Sequence, residues 1–225
     1  MSQLAKAEGK AAVSRARIIA VAAQLFAEHG YEGASIRDIA QAAGMTTASL
    51  YYHFSGKDDL FVAVHGRALR GVADAVARAV KGLSDPWDQL EAAVAAHSAT
   101  LLEKGNASIL LSMMYGGVDS VRDKLIAQRD GYERTFFALV DAAPMRPGVD
   151  RKLVRLQILG SINFMAFWFQ RRGAMSAAEI GHAMIRNLRH GVSPQDNSKK
   201  TAEETPALAP SPAGASRKRR PRKDS

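Results

Sequence analysis

The spacing of the apolar residues is the feature that most restricts how this chain can fold. Apolar side chains recur three or four residues apart from end to end, and no stretch alternates apolar and polar residues between hairpin turns. Ile18, Ala22 and Phe26, for example, fall on one side of a helix. Hydrophobic residues make up 47% of the chain, which is enough for a sizeable core. We therefore predict an all-α fold.

Capping signals and helix breakers divide this pattern into segments. The pairs Ser35/Asp38, Ser55/Asp58 and Ser176/Glu179 have the spacing of capping boxes, and Asp85 precedes a proline suited to the first helical position. Thr46 or Thr47 can cap a short helix that carries Leu50 and Phe54 on its buried side. Together these signals predict helices over residues 14–30, 35–44, 47–54, 55–82, 86–104, 108–115, 120–143, 150–172 and 177–190.

Composition argues against several classes of protein. The chain has no cysteine, which excludes disulfides and thiolate metal sites, and its six histidines are scattered, so we expect no metal and no cofactor. We find no nucleophile elbow, phosphate-binding loop or paired catalytic carboxylates, so an enzyme is not expected. The longest uncharged stretch, Leu156–Gln170, is shorter than the ~20 residues of a membrane span, and the polar N-terminus does not resemble a secretory signal. These features predict a soluble, cytoplasmic protein with no membrane partner.

The net charge of +9 is unevenly distributed. From Met1 to Gly66 the six lysines and arginines are balanced by six aspartates and glutamates, whereas the stretch Arg217–Lys223 is almost wholly basic. This stretch is most simply a solvated tail, although it could also contact phosphates without sequence preference. The overall charge is therefore weak support for DNA binding by the folded part.

The stretch SIRDIAQAAGMTTASLYYHF, residues 35–54, has the spacing of a helix-turn-helix motif. Ala40 is the small residue where two helices cross, Gly44 lies in the turn, and Leu50 anchors the second helix. The outer face of that second helix would present Thr47, Ala48, Tyr51 and Tyr52, with His53 at its end. Hydroxyl groups and an alanine suit contacts with base edges and phosphates. The spacing of Ala40, Gly44 and Leu50 also fits an ordinary helical hairpin.

The longer block RIIAVAAQLFAEHGYEGASIRDIAQAAGMTTASLYYHFSGKDDL, residues 17–60, strongly resembles the DNA-binding domain of the tetracycline-repressor family. In that family the first three helices bind DNA and the fourth relays motion. The remaining helices form a ligand pocket and a four-helix dimer interface. The resemblance implies the same organisation here.

Carried over to this chain, the family pattern implies specific contacts. Bases would be contacted by Thr47, Ala48 and Tyr51; phosphates by Ser35, Tyr52, His53 and Lys57; and either by Arg37. Thr46 completes this DNA-binding set, and Arg15 or Arg17 is a further candidate. Relatives often carry lysine, arginine or glycine where this chain has Thr46–Ser49, so the base preference of those relatives cannot be transferred to this chain.

The resemblance predicts a division of the chain into four parts. They are a flexible N-terminus (1–13), a helix-turn-helix domain (14–56), a ligand-sensing and dimerisation domain (57–191) and a disordered basic tail (192–225). The predicted function is a ligand-responsive repressor that binds a palindromic, double-stranded DNA operator as a homodimer. A transcriptional activator and a non-specific nucleoid-type protein are the alternatives.

The body of the chain is rich in aromatic and methionine residues, each of which can equally be plain core. From the resemblance we predict an apolar effector pocket lined by Leu110, Met114, Phe137, Phe164 and Trp168. His97 is either a hydrogen-bonding group of that pocket or a satisfied core histidine.

Residues 167–180 look somewhat like family members that respond to lipid-derived or acyl-CoA ligands. Arg171 and Arg172 suit an anionic head group, and equally suit the C-terminal end of a helix. For dimerisation we predict two apolar faces: Leu153, Leu156, Leu159 and Ile162 on one helix, and Ile180, Met184 and Leu188 on the next.

Overall fold

A computed structural model describes residues 3–103, 106, 110 and 119–192 of the chain. In chain order its α-helices are α1 (Gln3–Gly33), α2 (Ile36–Ala42), α3 (Thr47–Tyr51), α4 (Lys57–Val80), α5 (Pro86–Leu101), α6 (Arg122–Ala142), α7 (Arg151–Trp168) and α8 (Ala177–Val192). A short 3-10 turn, Asp119–Val121, precedes α6. Within these residues there is no strand, so the prediction of an all-α fold is confirmed. The predicted helix over 108–115 and the predicted tail lie outside the described residues.

The first helix is longer than predicted. We expected Ser14 to cap it, but α1 begins at Gln3, so residues 3–13 are helical although they were predicted to be a flexible N-terminus. The reason is that this segment is rich in alanine and lysine and lacks proline, and its one glycine, Gly9, does not end the helix. Gly30, predicted to end the helix, adopts a left-handed backbone (φ +71°) and produces a kink before Gly33.

The helix-turn-helix segment is capped as predicted. The Ser35 hydroxyl accepts a hydrogen bond from the Asp38 amide (3.1 Å), and the Thr46 hydroxyl accepts one from the Ser49 amide (3.1 Å). Gly44 takes the left-handed conformation in the turn (φ +67°). The predicted cap at Ser55 is wrong, because α4 has Gly56 at its N-cap and no side-chain cap there.

Two helices end earlier than predicted. Helix α5 stops at Leu101 rather than residue 104. Helix α7 stops at Trp168 rather than residue 172, since Phe169 is already extended and a turn follows in which the Gly173 amide donates to the Gln170 carbonyl. The capping box of α8 forms as predicted: the Ser176 amide donates to the Glu179 carboxylate (2.7 Å), and the Glu179 amide donates to the Ser176 hydroxyl (3.2 Å).

The buried side chains form two clusters. We call residues 3–54, which contain α1–α3, the head, and residues 57–192, which contain α4–α8, the body. The first cluster joins the head to the start of α4 and includes Val121 and Leu125 from the 3-10 turn and α6. The second cluster lies within the body, around Trp87, whose indole N–H donates to the Pro144 carbonyl (3.0 Å). Helix α6 therefore begins in the core of the head and continues through the body.

Helix α8 packs closely on α5. A Cβ atom on Gly181 would lie 2.9 Å from Ala95 Cα, so the two backbones meet where only a glycine fits. Glu91 accepts hydrogen bonds from His182 (2.9 Å) and Arg186 (3.4 Å) at the edge of this contact. Since exposed ion pairs contribute little, the close backbone approach is the main specific feature of this interface.

The apolar faces predicted for dimerisation are only partly at the surface. Leu159 and Ile162 are buried in the core of the body, so the prediction that they face a partner is wrong. Leu153 and Leu156 are exposed on α7, as predicted. On α8, the residues predicted to face a partner are half-buried: Ile180, Met184 and Leu188.

No described helix combines the length and apolar character required to cross a membrane. Among the described residues, no group of three histidine, aspartate or glutamate side chains is arranged to hold a metal ion.

Candidate nucleic-acid interface and central cavity

Helix α3 has only five residues, and its inner side holds it in place. Leu50 is completely buried and Phe54, just beyond the helix, is nearly so. Both belong to the core cluster of the head, as predicted. A helix this short has little intrinsic stability, so its position depends on this packing and on the Thr46 cap.

The outer side of α3 is open to solvent. Tyr51 is 53% exposed and Tyr52 83% exposed, and Ala48 is exposed as well. Thr47 and His53 are half-buried. The predicted arrangement, with Leu50 and Phe54 inside and the two tyrosines outside, is confirmed. The exposed phenol groups can therefore contact a large ligand such as a DNA duplex.

The remaining predicted DNA contacts lie near the starts of α2 and α3. Ser35, Arg37 and Thr46 are all exposed. The hydroxyl groups of Ser35 and Thr46 also cap their helices, which fixes the positions of these side chains. Arg37 has no ion-pair partner among the described residues, so its guanidinium is available to an anion.

Lys57 differs from the other predicted phosphate ligands because its ammonium group already has partners. Its Nζ donates to the Glu32 carbonyl (3.3 Å), lies 3.9 Å from the Glu32 carboxylate and sits 4.4 Å from the centre of the Tyr31 ring. Tyr31 in turn donates a short hydrogen bond to Asp58. Burial and this bond raise the pKa of Tyr31 to about 12. Lys57 thus joins the end of α1 to the start of α4.

Two arginines of α1 lie against the motif. The guanidinium of Arg15 is 4.6 Å from the centre of the Phe54 ring, and that of Arg17 lies over the turn at Gly44, where a Cβ atom would be 3.1 Å from it. Both residues are exposed. The sequence identified them only as further candidates, because contacts across 27 to 39 positions are not visible in a local motif.

The body contains a cavity of about 100 Å³ between α4, α5, α6 and α7. The described residues that line it are His65, Leu69, Val72, His97, Leu101, Leu110, Arg129, Tyr132, Glu133, Leu159 and Asn163. Leu110 is therefore at the cavity, as predicted for a pocket residue. Phe137, Phe164 and Trp168 are not among the described lining residues, and Met114 lies outside the described residues.

The three aromatic pocket candidates are placed elsewhere. Phe164 is 59% exposed and Trp168 49% exposed on the outer face of α7. Phe137 is half-buried beneath the guanidinium of Arg155, 4.7 Å from its ring centre. Arg171, considered for an anionic head group, donates a short hydrogen bond to the Leu102 carbonyl. An aromatic side chain in a sequence does not reveal which face of its helix turns inward.

Two histidines at the cavity have polar partners on α6. His65 Nδ1 is 2.7 Å from the Gln128 side-chain oxygen, and the Gln128 amide donates to the Val62 carbonyl (3.3 Å). His97 Nδ1 is 2.7 Å from the Tyr132 hydroxyl. Burial lowers the pKa of His65, and it lowers the pKa of His97 to about 4. Both rings are therefore neutral near pH 7.

Sequence reasoning missed the polar side of the cavity apart from His97. Tyr132 and Glu133 follow Arg129 on α6 by three and four positions, so a helix places both of them on the side of Arg129. That spacing was the available signal, but it did not show that this side of α6 faces α4 and α5.

The cavity and the head are connected by two continuous helices. Helix α4 lines the cavity with Leu69 and Val72, and its first turns carry Leu60 and Phe61 into the core of the head. Helix α6 lines the cavity with Tyr132 and places Leu125 in that same core. A change in the cavity that displaces either helix therefore acts on the support of α2 and α3.

Two protein-family models match this chain. Residues 18–64 match the model described as "Bacterial regulatory proteins, tetR family", and residues 83–192 match that of the "Tetracyclin repressor-like, C-terminal domain". The first covers most of the head and the start of α4, and the second covers the body from residue 83 onward.

Individual proteins are also similar over most of the chain. The HTH-type transcriptional regulator HbdR of Aromatoleum sp. (strain CIB) is 31% identical over 162 residues, covering 68% of each chain. The crystal structure of the TetR family transcriptional regulator PfmR from Thermus thermophilus is 32% identical, with a TM-score of 0.63 over 76% of this chain and 96% of that chain. AibR, solved with isovaleryl coenzyme A and operator DNA, is 24% identical, with a TM-score of 0.64 over 76% of this chain and 96% of that chain, a likeness of fold alone.

Proposed function

Because the chain belongs to the TetR family of bacterial regulatory proteins, and is thus a DNA-binding transcriptional regulator and not an enzyme, we propose that it is a ligand-responsive repressor acting as a homodimer. The observation that carries the proposal is the arrangement of α3, whose buried Leu50 and Phe54 hold an outer face of exposed tyrosines. The proposed DNA ligands are Ser35, Arg37, Thr46, Thr47, Ala48, Tyr51, Tyr52, His53 and Lys57.

Among these residues we assign base contacts to Thr47, Ala48 and Tyr51, because they lie on α3 itself. Arg37 and Tyr52 are exposed and suit phosphates at the rim of the groove. Arg15 and Arg17 add two exposed cations to the same unit. Lys57 would have to give up its contacts with Glu32 to bind a phosphate, which makes it the weakest of the set.

The proposed dimer uses the outer face of α7. Leu153, Leu156, Phe164 and Trp168 are exposed large apolar side chains on this one helix, an unusual concentration for a surface that meets only water. Covering them with the same face of a second copy gives a twofold interface. Two heads related by this axis would read half-sites about one helical turn, ~34 Å, or a multiple apart.

The proposed effector is a small molecule, lipid-derived or an acyl-CoA, that enters the central cavity. AibR, which shares the fold, was solved with isovaleryl coenzyme A, and five of the eleven described residues that line the cavity here are leucine or valine. For the effector to release DNA, it must bind the non-DNA-binding conformation more tightly, by about 1.4 kcal/mol for each tenfold loss of operator affinity. Helices α4 and α6 supply the connection to the head.

Capture of genomic DNA fragments by the full chain, followed by footprinting, tests the proposal. We expect a few fragments that share a palindromic site and survive excess bulk competitor DNA. Arg37→Ala should weaken binding to that site about tenfold, because it removes a base or phosphate contact. Arg134→Ala, which removes an exposed arginine of α6, is the charge-matched control and should leave affinity unchanged.

Even capture along the genome, abolished by competitor DNA, would contradict the proposal and favour a nucleoid-type protein. A reporter gene placed behind the captured site separates repression from activation. Higher expression when the regulator is deleted is the expected result, and lower expression would indicate an activator.

A further inference from the structure

The central cavity has a size and lining that restrict what it can hold. At about 100 Å³ it is smaller than an engineered cavity of about 150 Å³ that binds benzene, so by proportion it takes about four carbon atoms. Leu69, Val72, Leu101 and Leu159 supply apolar walls. A short aliphatic group of about that size therefore fits between the described lining residues.

One polar atom of a residue that lines this cavity has no hydrogen-bond partner among the described residues. His97 is buried, its Nδ1 is bonded to Tyr132, and its Nε2 has no hydrogen-bond partner among the described residues. The ring cannot turn away to find one, because it is stacked on Tyr132 (5.7 Å between ring centres) and held edge-on by Phe136 (5.6 Å). Buried polar atoms in native proteins are nearly always hydrogen-bonded to protein or to ordered water, so Nε2 is a group with which a bound molecule can pair.

The Tyr132 contact also decides which hydrogen-bond role Nε2 plays. If the phenol donates to Nδ1, the neutral ring carries its proton on Nε2, and a single donor is left unsatisfied. If Nδ1 donates instead, both the phenol proton and the bare Nε2 lack partners. The first arrangement leaves fewer buried groups unsatisfied, so Nε2–H is a donor and its guest must present an acceptor.

The charges at the cavity favour an uncharged guest. Arg129 is already paired with Asp130 (2.9 Å) and Glu133 (3.4 Å), so its positive charge is more than balanced. Burial keeps His65 and His97 neutral by lowering their pKa values. Among the described lining residues no unpaired cation remains to offset a carboxylate, which would lose its hydration without compensation.

We propose that the cavity binds a short, uncharged acyl group whose carbonyl oxygen accepts a hydrogen bond from His97 Nε2–H. The inference rests on the proposed ligand-responsive function and narrows its effector to one chemistry. Thioesters, esters and amides share this carbonyl, whereas the free acid does not remain neutral. Tyr132 acts as a positioning residue that holds the tautomer of His97.

The tautomer is tested by 15N NMR of the full chain labelled at histidine, with His97→Phe identifying the signal. We expect His97 to be neutral at pH 7 with its proton on Nε2, and Tyr132→Phe to produce a mixture of tautomers. A proton on Nδ1 in the unmodified protein would overturn the proposal, since Nε2 would then be an acceptor.

The chemical class of the bound molecule is tested with four probes: butyryl-CoA, butyramide, butyrate and coenzyme A. Butyramide and butyryl-CoA should both shift the His97 Nε2 signal. Tighter binding of butyryl-CoA would identify a thioester, and binding of butyramide alone would identify a small free carbonyl compound. Both results support the proposal. Butyrate binding as well as butyramide, or no probe shifting His97, would overturn it.

Titration calorimetry of three variants with the better-binding probe measures how much His97 contributes to affinity. His97→Phe should weaken binding about tenfold, the loss expected for one hydrogen bond in a buried site, and Tyr132→Phe should weaken it less. His190→Phe, the same substitution at an exposed histidine of α8, should have no effect. Equal affinities in all three variants would contradict the assignment. If His97→Phe does not fold, Tyr132→Phe carries the test.

Operator release separates this inference from the proposed function. If the probe binds at His97 but the protein keeps its operator, the effector role fails and the cavity assignment stands. If some other compound releases the operator equally from His97→Phe and the unmodified protein, the ligand-responsive function stands and the His97 assignment fails.

Discussion

The head and the body place their polar functional groups in opposite ways. In the head these groups are at the surface, and their supporting bonds join residues three positions apart, as in Ser35 with Asp38 and Thr46 with Ser49. In the body they surround a cavity, and their bonds join residues 35 or 63 positions apart, as in His97 with Tyr132 and His65 with Gln128. A surface for a large ligand can thus be built locally, whereas a cavity for a small one requires several helices to meet.

This difference has an energetic counterpart. An exposed side chain such as Tyr52 can be replaced with little effect on folding, because water replaces whatever it contacts. We expect a buried polar group such as His97 to affect both folding and ligand binding, since its Nε2 has no partner among the described residues and gains one when the proposed ligand binds. We therefore expect stability and recognition to be separable in the head and linked in the body.

The largest expected effect tests that separation within α3. Leu50→Ala removes a completely buried side chain and should lower the free energy of unfolding by about 3–4 kcal/mol. Tyr52→Ala, at the C-terminal end of the same helix, should change it by less than about 0.5 kcal/mol while weakening operator binding. Urea unfolding at one fixed protomer concentration measures the first quantity, and fluorescence anisotropy with operator DNA the second. Similar losses of stability in both variants would remove the distinction between the two sides of α3.

A slightly smaller effect concerns pH and the body. The pKa of His97 is about 4 in the folded protein and about 6.5 in the unfolded chain. Between these values the unfolded state binds more protons, so stability is complete above pH 6.5 and falls by about 3 kcal/mol as the pH approaches 4.

His97→Phe should remove this pH-dependent loss, as measured by urea unfolding at several pH values between 4 and 7. Glu133, whose pKa is raised by burial, works in the opposite direction but is present in both proteins, so the difference between them isolates His97. An identical pH dependence in the variant would mean that His97 is not buried in a neutral form.

The smallest of the three effects tests how closely the helices of the body must meet. Gly181→Ala places a Cβ atom 2.9 Å from Ala95 Cα, and because backbone atoms cannot move aside cheaply it should destabilise the protein by about 2 kcal/mol. Gly71→Ala, at an exposed position of α4 with no atom within 4 Å, is the matched control. It should stabilise the protein by up to about 1 kcal/mol through helix propensity. Thermal unfolding of both variants measures these changes in stability. Equal changes in the two variants would show that α5 and α8 can move apart without loss of stability.

The fold and the DNA-binding motif were largely predictable because their signals are local. Helical periodicity indicated an all-α chain, and the capping residues Ser35, Thr46, Asp85 and Ser176 marked helix starts that the structure confirms. The failures are also local in origin. Residues 3–13 continue α1 because nothing in them breaks a helix, and Ser55 does not cap α4 because Gly56 occupies that position.

The cavity was predictable only in part, for a physical reason. Periodicity shows that a helix has an apolar side, but not which neighbouring helix covers it or whether a gap remains between them. Phe164 and Trp168 were predicted to line a pocket and lie exposed on α7, while Leu159 and Ile162 were predicted to face a partner and are buried. Likewise, only the packing of α5 against α6 brings Tyr132 to His97 and leaves one ring nitrogen without a partner among the described residues. Neighbouring residues are enough to define the helices and the outward face of α3, so both could be predicted from local patterns. The cavity is formed by residues far apart in the chain, so it depends on how the helices pack.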